Sequence, residues 1–181
     1  RDAVVPEMVG VVLDGELVAA TPRLRTASGS QTDSLLNASV TLTNSNPATA
    51  VGIQREFGSA RLYVFDVLRT VFGHSVMDQP YEARRALLEA LVARVKVTYP
   101  TVGIDLVATL PATVESITAA LDAGFEGVML KKRSGLYYPA RRGWEWLKVK
   151  RYSTADAFVV GFTDGEGSNT GLIGSLELAV T

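Results

Sequence analysis

The sequence predicts a layered α+β fold. Apolar, β-branched segments of strand length recur along the 181 residues, whereas only two segments show helical periodicity. The order of these strands and helices is irregular, unlike the regular alternation in a doubly wound parallel sheet. We therefore expect layers of sheet and helix rather than a doubly wound fold.

The N-terminal half contains two predicted strands separated by a long polar segment. Residues 8–13 form a short apolar run that we expect to end at Asp14-Gly15-Glu16 and to resume at Leu17-Val18. Residues 21–50 are rich in Ser, Thr, Asn and Pro, which predicts a long loop or weak hairpin. Residues 62–68 are β-branched and aromatic and predict the second strand.

Two amphipathic helices are predicted. Residues 82–97 form the first, because their apolar side chains recur on one helical face. That face carries Leu87, Leu88, Leu91, Val92 and Val95, with Arg84, Arg85, Glu89 and Arg94 elsewhere. The second helix begins near Thr113, a favourable N-cap followed by Glu115, and ends at Gly124.

The C-terminal part alternates strands and turns. Strands are predicted at residues 127–131, 146–150, 157–162 and 172–180, with a glycine-rich turn at 164–171. The composition changes after Arg151, which predicts a domain boundary there.

Composition excludes several classes of protein. Apolar residues make up 47% of the chain, enough for a core, but no apolar run has the ~18–20 residues of a membrane span. The chain has no cysteine and one histidine, His74, which excludes disulfides and multi-histidine zinc sites. Any metal would be a hard ion such as Mg²⁺, held by carboxylates and substrate phosphates.

Residues 131–151 concentrate positive charge. They hold eight of the chain's eighteen basic residues and one acid, Glu145, although the chain as a whole has a net charge of −1. Aromatic residues interleave with the basic ones, a pattern suited to holding the phosphates of a nucleotide or nucleic acid. A solvated surface loop is the alternative.

Lys148 and Lys150 are two residues apart on a predicted strand and therefore share one face. Two adjacent ammonium groups repel each other unless an anion lies between them, which suits a phosphate clamp. Lysines on a solvent-facing edge strand, where they prevent edge pairing, are the alternative.

Three acidic positions are candidates for a polar site. Phe65-Asp66 lies within an apolar strand, where a carboxylate must be paired, hydrogen-bonded or bound to a cation. Phe65 could be a core residue or a platform for a ligand. Glu126 precedes a strand and Glu16 interrupts one, so each could reach Mg²⁺ or a ribose hydroxyl, although Asp-Gly is also ordinary turn sequence.

The order of these motifs resembles the ATP-dependent DNA ligases, members of the covalent nucleotidyltransferase superfamily that includes mRNA capping enzymes. The four motifs are Leu13-Asp-Gly-Glu-Leu-Val18, Val64-Phe-Asp-Val-Leu68, Glu126-Gly-Val-Met-Leu-Lys131 and Trp146-Leu-Lys-Val-Lys150. The resemblance extends to the tail, where Val159-Val-Gly-Phe162 and Ile173-Gly-Ser-Leu-Glu-Leu178 are similar to the first strands of that family's OB fold.

The resemblance implies a fold and a set of domains. Residues 1–151 would be part of a layered antiparallel-sheet nucleotidyltransferase (adenylation) domain, and residues 152–181 would begin an OB-fold β-barrel.

It also implies roles for individual residues. Glu16 would contact the nucleotide ribose, Phe65 would stack on adenine, and Glu126 would help hold Mg²⁺. Lys148 and Lys150 would grip the α-phosphate, with Lys131 serving the phosphate too. Arg141 and Arg142 would contact DNA at the nick.

The implied activity is sealing of nicks in duplex DNA, with ATP converted to AMP and pyrophosphate through lysyl-AMP and DNA-adenylate. ATP and Mg²⁺ would be the cofactors and nicked double-stranded DNA the partner, in replication, repair or recombination. We expect a monomer without a membrane partner, in the cytoplasm of a prokaryotic or virus-infected cell. RNA ligation or mRNA capping is the alternative reaction.

One departure from the family concerns the catalytic nucleophile. None of the five lysines is followed by x-Asp-Gly, the sequence that marks the family's nucleophile. They are Lys96, Lys131, Lys132, Lys148 and Lys150. We therefore expect a fragment of a ligase that is inactive alone, the alternative being a non-catalytic nick-binding module.

Overall fold

The computed structural model describes residues 6–19, 24–25, 31–32, 35–152 and 154–180. Its helices are α1 (Leu35–Asn44), α2 (Pro47–Phe57), α3 (Tyr81–Thr98) and α4 (Val114–Asp122). Its strands are β1 (Val12–Val18), β2 (Leu24–Arg25), β3 (Gln31–Thr32), β4 (Arg61–Arg69), β5 (Ile104–Leu106), β6 (Gly127–Lys131), β7 (Trp146–Lys150), β8 (Ala157–Asp164) and β9 (Ile173–Val180). Short 3₁₀ turns lie at Pro6–Met8 and Gly167–Asn169.

The main sheet has the order β1-β4-β5, with β1 antiparallel and β5 parallel to the central strand β4. Strand β4 is the predicted strand at 62–68, whereas the three-residue β5 was not predicted because it is too short to show a period. Helix α3 packs on this sheet and buries Leu88 and Val92 against Val64 and Val67. The α+β prediction is confirmed.

Strand β1 corrects one prediction. Met8 lies in a 3₁₀ turn, and Asp14-Gly15-Glu16 continues the strand instead of ending it. The pairing with β4 shifts register next to Gly15, where a Cβ would lie only 2.7 Å from the Tyr63 carbonyl oxygen. Glycine is therefore required here by close strand approach rather than by a turn.

Residues 21–50 contain more helix than predicted. Helices α1 and α2 replace most of the expected loop, and only the short β2–β3 pair matches the weak hairpin. The Asn46 side chain caps α2 by accepting from the Thr49 amide, and Pro47 begins the helix. This Asn-Pro pair is a helix-start signal that the polar composition obscured. Leu42 and Ala19 form a small second core.

Both predicted helices of the central region are confirmed, but two residues of the first, Leu87 and Arg84, have the opposite exposure to that expected. Leu88, Val92 and Val95 of α3 are buried, but Leu87 is 42% exposed, and Arg84 on the expected polar face is fully buried. Helix α4 is capped at Thr113, whose hydroxyl accepts from the Ser116 amide.

The four strands predicted after residue 126 are present, and they pair as two antiparallel hairpins. β6 pairs with β7 and contacts α4, while β8 pairs with β9. Apart from half-exposed Gly161, the described residues of β8 and β9 are exposed on both faces of their hairpin. No helix among the described residues is long and apolar enough to cross a membrane.

A buried ion pair joins the main sheet to the segment that follows β6. The guanidinium of Arg84 donates two hydrogen bonds to the carboxylate of Asp66, at 2.8 and 2.9 Å, and both side chains are 0% exposed. Arg84 also donates to the carbonyl oxygens of Gln79 and Gly135. Asp66 thus has the partner that its apolar surroundings require.

We predict that breaking this pair strongly destabilises the fold. Arg84→Met leaves the Asp66 carboxylate buried without its partner, which should cost about 3–5 kcal/mol in the free energy of unfolding. Arg133→Met removes the exposed pair with Glu82, whose side chains are 84% and 52% exposed, and should cost less than about 1 kcal/mol. Urea denaturation measures both, and similar losses in the two variants would contradict the prediction.

Candidate functional site

One face of the β6–β7 hairpin gathers three residues of the predicted site, Lys131, Lys148 and Lys150, together with Trp146. The register pairs Lys131 with Trp146 and Met129 with Lys148, while Lys150 lies opposite Gly127. Because side chains alternate along a strand, Trp146, Lys148 and Lys150 share this face. The expected common face of the two lysines is therefore present.

Three aromatic rings join this face to the main sheet. Phe65 of β4 meets Trp146 edge-on, with ring centroids 6.1 Å apart. Tyr137 meets Trp146 in the same way at 5.5 Å. Phe65 is half-buried rather than part of the fully buried core, so a side chain able to stack on a planar ligand lies between the two sheets.

Lys131 lies inside an aromatic enclosure. Its Nζ is 3.6 Å from the Trp146 ring centroid, 4.5 Å from that of Phe65 and 4.8 Å from that of Tyr81. The side chain is 8% exposed, and Nζ is 4.0 Å from the nearer Asp66 carboxylate oxygen. Burial lowers the pKa of Lys131 from 10.5 to about 8, an effect that the nearby Asp66 and Asp14 partly oppose.

Lys148 pairs with Glu126 at the exposed end of the hairpin. Its Nζ donates to a Glu126 carboxylate oxygen at 2.7 Å. This hydrogen bond lowers the pKa of Glu126 and raises that of Lys148. The charge of Lys150 also lowers the pKa of Glu126, and that of Glu16 raises the pKa of Lys148. The charges of both lysines therefore stabilise the ionised form of Glu126. The exposed carboxylate of Glu16 on β1 lies near enough to stabilise the charged form of Lys148.

Two tyrosines beside the site, Tyr137 and Tyr152, make further contacts with its residues. The Tyr137 hydroxyl donates to Asp14 at 2.7 Å, which links the 132–145 connection to β1. Burial, followed by this hydrogen bond, raises the pKa of Tyr137 to about 12, so the phenol stays protonated. The ammonium of Lys150 lies 5.1 Å from the Tyr152 ring centroid.

The two predicted DNA-contacting arginines lie on an exposed loop. The Arg141 guanidinium lies 5.2 Å from the Tyr138 ring centroid. Arg142 lines an open depression with Gly143, Trp144 and Leu147. None of the lysines or acids of the hairpin site lines this depression.

The described residues contain no group of three or more His, Asp or Glu side chains that could hold a metal by themselves. Glu126 offers one exposed carboxylate beside two lysines. This donor set fits Mg²⁺, which usually binds one or two carboxylates and completes its shell with substrate phosphates and water. It does not fit a metal that requires a complete protein cage.

Sequence reasoning missed four residues around the site: Tyr81, Arg84, Tyr137 and Trp146. Arg84 had a signal, because Asp66 in an apolar strand requires a cationic partner. Tyr137 and Trp146 lie within the basic stretch, but no local pattern says which aromatic side chain meets Phe65. These contacts join residues far apart in sequence.

We predict that Lys131 gives the chain an unusual dependence of stability on pH. Because its pKa is lowered to about 8 in the folded protein, the unfolded chain binds more protons between about pH 8 and 10.5. The free energy of unfolding should therefore rise with pH in this window, relative to Lys131→Met. We expect a relative gain of about 2 kcal/mol, less than the full pKa shift would give because the side chain retains some contact with water.

Urea denaturation of both proteins between pH 7.5 and 10 measures this difference. If the stability of the unmodified chain relative to Lys131→Met stays constant or falls as the pH rises, the lowered pKa of an enclosed Lys131 is contradicted.

Comparisons with known proteins identify relatives of this chain. Residues 1–150 match the family model described as "ATP dependent DNA ligase domain". The chain is 39% identical over 137 residues to a DNA ligase of Methanothrix thermoacetophila, covering 70% of this chain and 24% of that protein. It is 32% identical over 179 residues to a probable DNA ligase of Streptomyces griseus, covering 92% of this chain and 31% of that protein.

Solved structures agree with the fold. The ligase domain of LigD from M. tuberculosis matches with a TM-score of 0.52 and 26% identity, covering 93% of this chain and 46% of that one. A mycobacterial DNA ligase D complexed with ATP and MES matches with a TM-score of 0.53 and 27% identity, covering 93% of this chain and 45% of that one. A structure of Lig E DNA ligases matches with a TM-score of 0.65 and covers 99% of this chain and 62% of that one. Its identity of 21% means that it supports the fold alone.

The chain spans less than a third of the length of the two curated relatives described. The family model nevertheless covers most of the chain, including all four motifs. The chain belongs to the family of ATP-dependent DNA ligase domains.

Proposed function

We propose that this chain is the nucleotide-binding part of an ATP-dependent DNA ligase that seals nicks in duplex DNA. The observation that carries the proposal is the placement of Phe65 against Trp146 beside a strand bearing Lys148 and Lys150. This arrangement, within a chain that matches the ligase family over residues 1–150, suits a planar base joined to phosphates. The relatives found are DNA ligases, which favours DNA ligation over RNA ligation or mRNA capping.

The reaction transfers AMP twice. A lysine of the whole enzyme attacks the α-phosphate of ATP and releases pyrophosphate, and the 5′-phosphate at the nick then takes AMP from the lysine. The 3′-hydroxyl displaces AMP and forms the phosphodiester bond. Negative charge grows on the phosphate oxygens at each step, so positive groups held in place lower the barrier.

The residues of the site have separable roles in this proposal. Phe65 stacks on adenine, a contact worth on the order of 1–3 kcal/mol for a base on an aromatic ring. Glu16 accepts from the ribose hydroxyls, and Lys148 and Lys150 hold the α-phosphate. The phosphate takes over from Glu126 as the partner of Lys148.

Glu126 is also the residue we propose for Mg²⁺. When bound there, the ion would supply Lewis-acid charge to phosphate oxygens. The pairing with Lys148 lowers the pKa of Glu126 and so keeps its carboxylate ionised.

In this proposal, Lys131 acts mainly at the end of the site that binds the adenine base. Its ammonium contacts the rings of Phe65 and Trp146 and has little exposure, so it holds the stacking platform. A direct contact with phosphate requires the side chain to leave this enclosure.

We assign residues 1–151 to the nucleotidyltransferase domain and residues 152–181 to the start of an OB-fold domain. The exposed β8–β9 hairpin supports the second assignment, because a two-stranded hairpin with apolar side chains is stable only when further structure covers it. Arg141 and Arg142 belong to the DNA-contacting surface.

Nucleotide binding tests the site directly. Lys148→Ala or Lys150→Ala should weaken AMP binding about tenfold or more, because each removes a charge-assisted contact with phosphate. Lys132→Ala, which changes an exposed lysine next to the enclosed Lys131, should leave the dissociation constant unchanged. Isothermal titration calorimetry measures all three, and equal affinities would remove the phosphate role of the pair.

Covalent labelling tests the reaction. This chain has no lysine followed by x-Asp-Gly, so we expect no labelled protein after incubation with ATP carrying a radioactive α-phosphate. A longer form that includes the family's Lys-x-Asp-Gly motif should become labelled with ATP and Mg²⁺. Labelling of that form by GTP and not ATP would contradict the proposed function.

A further inference from the structure

Trp144 is an unusually exposed aromatic residue in a basic loop. Its side chain is 87% exposed, the highest value among the large apolar side chains described. It lines an open depression with Arg142, Gly143 and Leu147. What distinguishes this exposed indole is the exposed guanidinium in the same depression, because an aromatic ring beside a cation is the combination that binds nucleic acid.

The depression is separate from the nucleotide site. Leu147 alternates with Trp146 and Lys148 along β7 and therefore lies on the opposite face of the hairpin. Lys148 and Lys150 do not line the depression. A ligand at Trp144 would thus contact the chain without occupying the phosphate clamp.

The loop presents positive charge beside this ring. Arg141 and Arg142 are both exposed, and the Arg141 guanidinium stacks near the Tyr138 ring. The one acid of the basic stretch, Glu145, is half-buried and packs against Gly135 and Gly143. No ion pair links Glu145 to either arginine in the described part of the chain. The loop therefore keeps its positive charge.

Ala140 shapes the loop. Its φ of 54° lies in the left-handed region, which is costly for a residue with a side chain. Ala140 lies between Tyr138 and Arg141, so its conformation turns the chain within their stack and directly before the Arg142–Trp144 depression. The two pairs, each an arginine with an aromatic ring, then lie next to each other in one loop.

We propose that Arg142 and Trp144 form a DNA contact, in which the guanidinium pairs with a backbone phosphate and the indole packs against the adjacent sugar or base. Nucleic acid fits because it repeats a phosphate and a flat ring at short intervals. The proposal rests on the proposed function and adds to it a contact residue, Trp144, and a surface distinct from the nucleotide site.

The test uses this chain and a short nicked DNA duplex with a fluorescent label. Fluorescence anisotropy gives the dissociation constant at several salt concentrations. Arg142→Ala should weaken binding and reduce the slope of log affinity against log salt by about 1, because one phosphate contact is lost. Trp144→Ala should weaken binding roughly tenfold without changing the slope, because it removes a stacking contact that carries no charge.

Phe72 and Arg94 supply a matched control. They also form an exposed aromatic residue and an arginine that line an open depression, with Phe72 82% exposed, but Glu7 lies in the same depression. Phe72→Ala and Arg94→Ala should leave both the affinity and the salt slope unchanged. All four side chains can be removed without opening the core, which circular dichroism and urea denaturation verify.

The outcomes separate this inference from the proposed function. If the chain binds nicked DNA and Arg142→Ala and Trp144→Ala bind as tightly as the unmodified chain, the inference is wrong and the proposed function stands. If the chain shows no salt-dependent DNA binding at all, both fail. If Trp144→Ala abolishes a dimer seen by sedimentation and leaves DNA affinity unchanged, the surface contacts a second copy and the inference is overturned.

Discussion

The buried pair of Asp66 and Arg84 is the constraint on which the site depends. Asp66 is next to Phe65 on the central strand, and Arg84 reaches from α3 to the carbonyl oxygen of Gly135, in the segment after β6. The backbone amide of Tyr81 donates to that same carbonyl. Through Arg84, the pair therefore connects the strand that carries Phe65 to the segment that joins β6 and β7.

Solvent exposure divides the cations of the basic stretch into two kinds. Lys131 is enclosed by rings, which lowers its pKa, whereas Lys148 is half exposed and paired with Glu126, which raises its pKa. Only an exposed, protonated ammonium can exchange a carboxylate for a phosphate without a large desolvation cost. This difference explains why neighbouring lysines of similar sequence context suit different tasks in the proposed site.

Much of the fold was predictable because its signals are local. The strand at β4, the helix α3 and the N-cap at Thr113 follow from periodicity and capping chemistry within a few residues. Helices α1 and α2 were missed because Ser, Thr and Asn favour loops locally, while burial of Leu42 against Ala19 stabilises the helical form. Arg84 was placed on the wrong face because charge predicts exposure unless a buried partner is known.

The sequence by itself determined the order of motifs, the shared face of Lys148 and Lys150, and the concentration of positive charge, since these depend on residue type and spacing along one strand. Only the tertiary structure decided which groups meet: Lys131 with three rings, Asp66 with Arg84, Asp14 with Tyr137, and Glu126 with Lys148. The physical reason is that each of these contacts joins residues at least 15 positions apart. Their energies depend on burial and distance, which no local pattern encodes.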